Sequence, residues 1–312
     1  MTQVSDDPSL WLDIYLYRVA SYFAVAGSVG VFYDWVLTFG QEVELIWRQR
    51  WSLMTVLYLS VRYLGIAFAV LQIPGNIPTI SVTDTVSWIL YAVLTWMSVI
   101  VFPMLRVIMI ARLHAMYQRS RKVLIFLIVT FLADTIFNVV AAVMSTRHTS
   151  GEELILSGTY VCSINYGGTI LLDSVTWILG TAWEAFALCL AVWIAVKHFR
   201  ELRQHSAGGI IRDGFTVLIK SHVLYFASFV VVSCFHLIIF LDPTISADPV
   251  SIEIVIELLQ IATVVQLFVL GPRLILGVRE YHAKLVADSG AATSMTSIAF
   301  QERLHISTGN GV

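Results

Sequence analysis

Polarity along the chain alternates between long apolar runs and short polar connections. Seven apolar runs stand at 14–38, 52–71, 84–111, 123–144, 173–197, 217–241 and 252–277. A helix needs about 20 residues to cross a hydrocarbon core of about 30 Å. Backbone groups find no water there, and a helix satisfies them internally. The pattern predicts an all-α fold, a seven-transmembrane-helix bundle. Its connections fall at 39–51, 72–83, 112–122, 145–172, 198–216 and 242–251.

Basic residues set the expected orientation, because they stay on the cytoplasmic side. Arg48 and Arg50 lie in the first connection, and Arg112, Arg119, Arg121 and Lys122 in or beside the third. Arg200, Arg203 and Arg212 lie in the fifth, with Lys197 and Lys220 at its edges. Arg279, Lys284 and Arg303 follow the last helix, while the fourth connection holds only Arg147. The N-terminus is therefore expected outside and the C-terminus in the cytoplasm. Residues 1–13 read as an extracellular segment, 14–277 as the membrane domain and 278–312 as a cytoplasmic tail. That tail starts with a short amphipathic stretch and continues rich in Ser, Thr, Gly and Ala, a disordered composition. MTQVSDDPSL lacks the basic start of a signal peptide.

Composition agrees with a membrane setting. Only 13% of residues are charged, against roughly 25% in soluble domains, and mean hydropathy is +0.80. A net charge of −2 points away from nucleic acid. Trp35, Trp47 and Trp51 flank the first cytoplasmic connection, where amphipathic rings favour the headgroup boundary. Arg48 and Arg50 can reach anionic lipid there.

The stretches YDWVLTFGQEVELIWRQRWSLMTVLYLSVRYLG at 33–65 and GPRLILGVREYHAKL at 271–285 resemble the uncharacterised seven-span membrane proteins of mushroom-forming fungi. That family is defined by an N-terminal domain of unknown function over the first two spans. The resemblance is specific over about 20–70 and again around 271–300, and loose between. It implies a fungal integral membrane protein and brings no activity and no catalytic residue.

Ionisable residues at membrane depth are costly and usually face the bundle interior or water. Arg62, Asp134 and Glu184 fall near mid-helix; Asp34 and Arg106 fall nearer the cytoplasmic ends. Helical spacing sorts other polar groups onto shared faces. Ser87, Tyr91, Thr95 and Ser98 share one, and Thr130, Asp134 and Asn138 another. His222, Phe226, Phe229, Ser233 and His236 form a third stripe, and Glu253, Glu257, Gln260 and Thr263 a fourth. Such stripes predict inward faces. One reading makes them helix-to-helix glue, with Arg62 paired to Asp134 or Asp34. The other makes Arg62, Tyr91, Thr95, Asp134, Asn138, Glu184, His236, Glu257 and Gln260 a polar pocket or network. Asp134 and Glu184 outnumber Arg62 near the middle, so one acid should lack a cation. Glu184 is expected to be that acid, because no basic residue shares its depth on the fifth or sixth helix.

Pro103 and Pro272 each remove a backbone hydrogen bond and are candidate hinges. The longest connection contains GTYVCSINY, whose two-residue alternation suggests a short hairpin that could lid an outer pocket. Cys162 within it has no evident partner. The last helix has no lysine for a retinal Schiff base. Of eight histidines only His222 and His236 lie in spans, about 21 Å of helical rise apart, too far to share a metal. No phosphate-cradling glycine loop or GxSxG elbow occurs. An enzyme is not expected, nor any cofactor or metal.

The reading that results is a receptor-like seven-helix protein, expected in the plasma membrane. It would sense a small ligand from outside and signal through a cytoplasmic partner surface at Arg106, Arg112, Arg119, Arg121, Lys122, Arg200, Arg203 and Arg212. Expected partners are membrane lipids, a small-molecule ligand and a cytoplasmic signalling protein. DRY-type and NPxxY-type ends are absent: the chain reads LRVIMIARLH at 105–114 and GPRLI at 271–275. Two readings stand beside it. One is a transporter or proton-linked carrier using Arg62, Asp134 and Glu184; the other is a membrane scaffold without ligand.

Overall fold

The computed structural model describes residues 3–5, 10–77, 80, 83–116, 121–156, 159–165, 170–204, 209–241, 249–281 and 283. Seven long helices form the bundle: α1 (Trp11–Glu42), α2 (Leu53–Asn76), α3 (Asp84–Met116), α4 (Arg121–His148), α5 (Ile170–Gln204), α6 (Gly209–Leu241) and α7 (Pro249–Val265). α1 runs on into a π-helical turn at Val43–Trp47. α7 runs into another at Gln266–Leu270 and then resumes as α-helix over 271–281. Six helical stretches are long and apolar enough to cross a membrane, and Val223–Ile239 of α6 is a shorter apolar one. The helices outrun the apolar runs at most ends. Hydropathy marks only the hydrocarbon layer, whereas hydrogen bonding carries a helix into the polar boundary.

Helices adjacent in sequence run antiparallel, whereas α1 and α7 run side by side in parallel. Near the start of α1, Tyr17 donates to the Gly75 carbonyl near the end of α2, and lower down Ser28 donates to the Ala69 carbonyl. Tyr91 and Ser145 bond across α3 and α4. Gly27 packs on Ile261 of α7, which closes the bundle from the last helix to the first.

A three-stranded sheet joins one end: β1 (Gln3–Ser5), β2 (Ser150–Leu156) and β3 (Thr159–Asn165), in the order β1-β2-β3. GTYVCSINY, expected to make a short hairpin, supplies one strand of it; β3 pairs antiparallel with β2, SGEELIL, and β1 adds to β2 in parallel. This sheet is an addition to an all-α expectation. It packs on α3 and α1, and its side chains, including Cys162, lie outside the described set.

The opposite half of the bundle is closely packed. Leu105, Met109 and Leu113 of α3 meet Ala191 and Ile194 of α5, Tyr225 and Phe226 of α6, and Ile275 of α7 in one apolar core. Gly271 permits the approach of α3, because a Cβ there would stand 2.7 Å from Leu105 Cδ2. Outward surfaces carry large apolar side chains such as Tyr33, Val36, Ile136 and Trp193. Water would penalise these; lipid accepts them.

Candidate functional site

Between this core and the sheet end lies a cavity of about 500 Å³. Every helix from α2 to α7 contributes to its wall. α3 supplies Tyr91, Thr95, Ser98, Phe102, Pro103 and Arg106, one face repeating at three- and four-residue steps. Asn138 and Thr135 come from α4, Trp177 and Glu184 from α5, Ser233 from α6, and Gln260, Thr263 and Phe268 from α7. The inward stripes read from the sequence on α3 and α7 thus meet in one space.

Arg106 is the cation of this wall. It is 7% exposed, makes an ion pair with Asp134, and lies 5.2 Å from the centre of the Trp183 ring. Gly180 leaves it room, since a Cβ would come within 3.2 Å of the guanidinium. Asn138 donates to the same Asp134 oxygen at 3.0 Å and to the Asp134 carbonyl at 2.8 Å. Glu184 accepts a hydrogen bond of 2.7 Å from Ser233 and has no ion pair among the described residues. His236 stacks on Trp177 with ring centres 4.4 Å apart and contacts Thr263 at 3.4 Å, behind the wall. Glu257 is half-buried one turn from Gln260, outside the lining.

A second polar cluster lies at the other end, between α1, α2 and α7. Arg62 is 1% exposed; it pairs with Asp34, donates to Thr38, and stands 3.9 Å from a Glu42 oxygen. Arg273 pairs with the other Asp34 oxygen. Glu42 is fully buried and accepts from Trp47, Tyr58 and Tyr63 at 3.1, 3.3 and 3.0 Å. Pro272 cannot donate to the carbonyl four residues back, that of Phe268. Arg62 donates to that carbonyl instead, at 3.4 Å. Nearly two turns beyond Arg273, Arg279 donates to the Leu45 carbonyl at 2.9 Å and to Thr55 at 2.7 Å.

Three expectations change. Of the two partners open to Arg62, the fold selects Asp34, across 28 residues of chain. Arg62 is therefore no part of the cavity, and Asp134 takes its cation from Arg106. Arg106 itself, expected on a cytoplasmic partner surface, is buried and faces the cavity. The four-residue steps Ser98, Phe102, Arg106 carried that signal, since they continue the polar face of α3. Asp34, Thr38 and Glu42 repeat every four residues on α1, a stripe that sequence reading missed.

Arg121, Lys122 and Arg200 are exposed and Arg112 is half-buried. Arg119, and the side chains of Arg203, Arg212 and His222, lie outside the described residues.

Fold, lipid-facing surface and buried charges together define a multi-pass helical membrane protein. Residues 22–67 match DUF6533, a family of unknown function. That match spans most of α1, the connection and the first half of α2, where the resemblance placed a signature. Asp34, Thr38, Glu42, Tyr58, Arg62 and Tyr63 all fall within it. None of the curated proteins compared with the chain matches it.

Proposed function

We propose that the chain is a receptor-like seven-span protein of the plasma membrane, N-terminus outside, that takes a small ligand into the cavity and relays its presence along α7. One observation carries the reading: Phe268 belongs to both clusters. Phe268 lines the cavity, with its ring on that of Phe68 in the same wall, while its carbonyl accepts from Arg62 of the second cluster. A ligand that moves this ring acts on the π-helical turn at Gln266–Leu270, and π-turns are frequent at functional sites. Five residues on, Arg273 holds Asp34, and Arg279 holds the α1–α2 connection. Occupancy at one end thereby reaches the basic end.

The core below the cavity argues against a carrier, which needs alternating access to both sides. The cavity itself argues against a scaffold, whose interior would be filled. The basic connections at 112–122 and 198–216 supply the surface for a cytoplasmic signalling protein.

The test uses single cysteines at Thr95 and Leu113 in a chain whose native cysteines are replaced by alanine. A membrane-impermeant thiol reagent applied outside intact cells is expected to label Thr95→Cys and spare Leu113→Cys. Labelling of Thr95→Cys from the cytosolic side of inverted vesicles as well would favour the carrier. Labelling from neither side would favour the scaffold. Proximity labelling from a biotin ligase fused after residue 312 should recover heterotrimeric G-protein subunits; their reproducible absence counts against signalling by that route.

A further inference from the structure

The cavity lining holds one base and one acid, Arg106 and Glu184, and a second acid, Asp134, reaches Arg106 from outside the lining. Arg106 is already paired with Asp134, so that pair is neutral. Glu184 is 7% exposed and its described polar partner is one uncharged hydroxyl, that of Ser233. A carboxylate has two oxygens and up to four acceptor positions, and one hydroxyl satisfies a single one. Two further polar atoms are buried without a partner: Asp134 Oδ1, an acceptor on a residue 6% exposed, and the Thr135 hydroxyl in the wall, which can accept or donate. Arg106 Nε is an unused donor on the same wall. Buried ionised groups at membrane depth need a counter-charge, and buried acceptors need donors.

An anionic ligand would meet Arg106 with its charge already neutralised and would face Glu184 as well. A cation would meet an acid that has no ion pair among the described residues, because Arg106 is committed to Asp134. Trp177, Phe102 and Phe268 stand in the same wall, and aromatic faces attract cations and accommodate apolar bodies. A cavity of about 500 Å³ suits a small organic molecule.

We infer that the cavity takes a small organic ammonium on an apolar body, with Glu184 as its counter-ion and the aromatic wall around its carbon skeleton. The inference rests on the cavity being the sensor's ligand site, and adds the ligand's chemical class.

The full chain in lipid nanodiscs would be titrated with phenethylamine and with 2-phenylethanol, a neutral molecule of the same length. Thermal unfolding is the readout. Phenethylamine should stabilise the wild type at concentrations about tenfold or more below the alcohol, the size of one charge-assisted hydrogen bond. Glu184→Gln should erase that preference. Glu257→Gln, which alters an acid outside the lining, should keep it, and so should Glu184→Asp, which guards against a misfolded amide variant. Equal response to both probes, or a preference that survives Glu184→Gln, overturns the ammonium while leaving a ligand cavity. No response to either probe overturns it too when Thr95→Cys labels from outside. If that labelling also fails, the sensor reading falls with it.

Discussion

Two clusters of buried charge occupy the same bundle on opposite plans. At the α1–α2–α7 end, Asp34 and Glu42 meet Arg62 and Arg273, so acids and bases balance. Nearly every lone pair there is used: Thr38, Trp47, Tyr58, Tyr63 and the Phe268 carbonyl complete the set. At the cavity, Asp134 and Glu184 meet Arg106 alone, and several polar atoms stay unpaired. The closed cluster ties three helices together. The open one leaves a volume and a charge. Arg62 Nε, like Arg106 Nε, has no hydrogen-bond partner, so the clusters differ in charge balance and in the void beside one of them, not in complete satisfaction. Only the open one is a candidate binding site, although sequence position alone ranks Arg62 as highly as Glu184.

The sharpest break of this contrast is Arg62→Leu. It leaves Glu42 without a cation and Asp34 with only the half-exposed Arg273. Losing one member of a buried pair costs on the order of 3–5 kcal/mol. The expected result is little folded protein in membranes and a much lower unfolding midpoint. A midpoint like wild type would mean that the closed cluster is not a joint.

Next in size is Gly65→Ala, inside the matched family region. The new methyl would sit 2.5 Å from Phe268 Cδ1, and overpacking of this kind costs about 1–3 kcal/mol. Phe268→Ala should give a partial rescue, costing less in the Gly65→Ala chain than in the wild type, since it removes Cδ1 and Cγ, the two nearest of the clashing atoms. Failure of that rescue in a thermal melt would place the strain elsewhere and weaken the Phe268 relay.

Arg279→Ala should have a milder and local effect. It removes three side-chain hydrogen bonds, to the Leu45 carbonyl, Ser52 and Thr55 at the α1–α2 connection and the start of α2, each worth about 0.5–1 kcal/mol. Amide exchange at residues 43–47 should rise while exchange in the α3–α5 core stays as it was. A global rise in exchange would contradict a local clamp.

The smallest change is expected at the open cluster. Glu184→Gln keeps an acceptor for Ser233 and removes an unpaired charge, so unfolding should shift by less than about 1 kcal/mol or move upward. A large loss would show that Glu184 is structural after all. Set beside Arg62→Leu, this pair of melts measures the contrast directly.

Much of this was legible in the amino acids. The seven helices follow from runs of apolar residues. The inward faces at Tyr91, Thr95 and Ser98, and at Gln260 and Thr263, follow from helical spacing. So did the singling out of Glu184 as the acid without an ion pair. The pairing of Arg62 with Asp34, the inward placement of Arg106 and the sharing of Phe268 between two sites were not legible. Periodicity says which residues share a face of one helix, and it is silent about which other helix lies opposite. That choice depends on close approaches such as Gly65 on Phe268 and Gly271 on Leu105. Local sequence therefore determined the number of long helices and their wet and oily sides, because burial in lipid acts on each segment alone. Tertiary packing decided which charges cancel and which are left facing a void, because a Coulomb pair depends on distances between segments far apart in the chain.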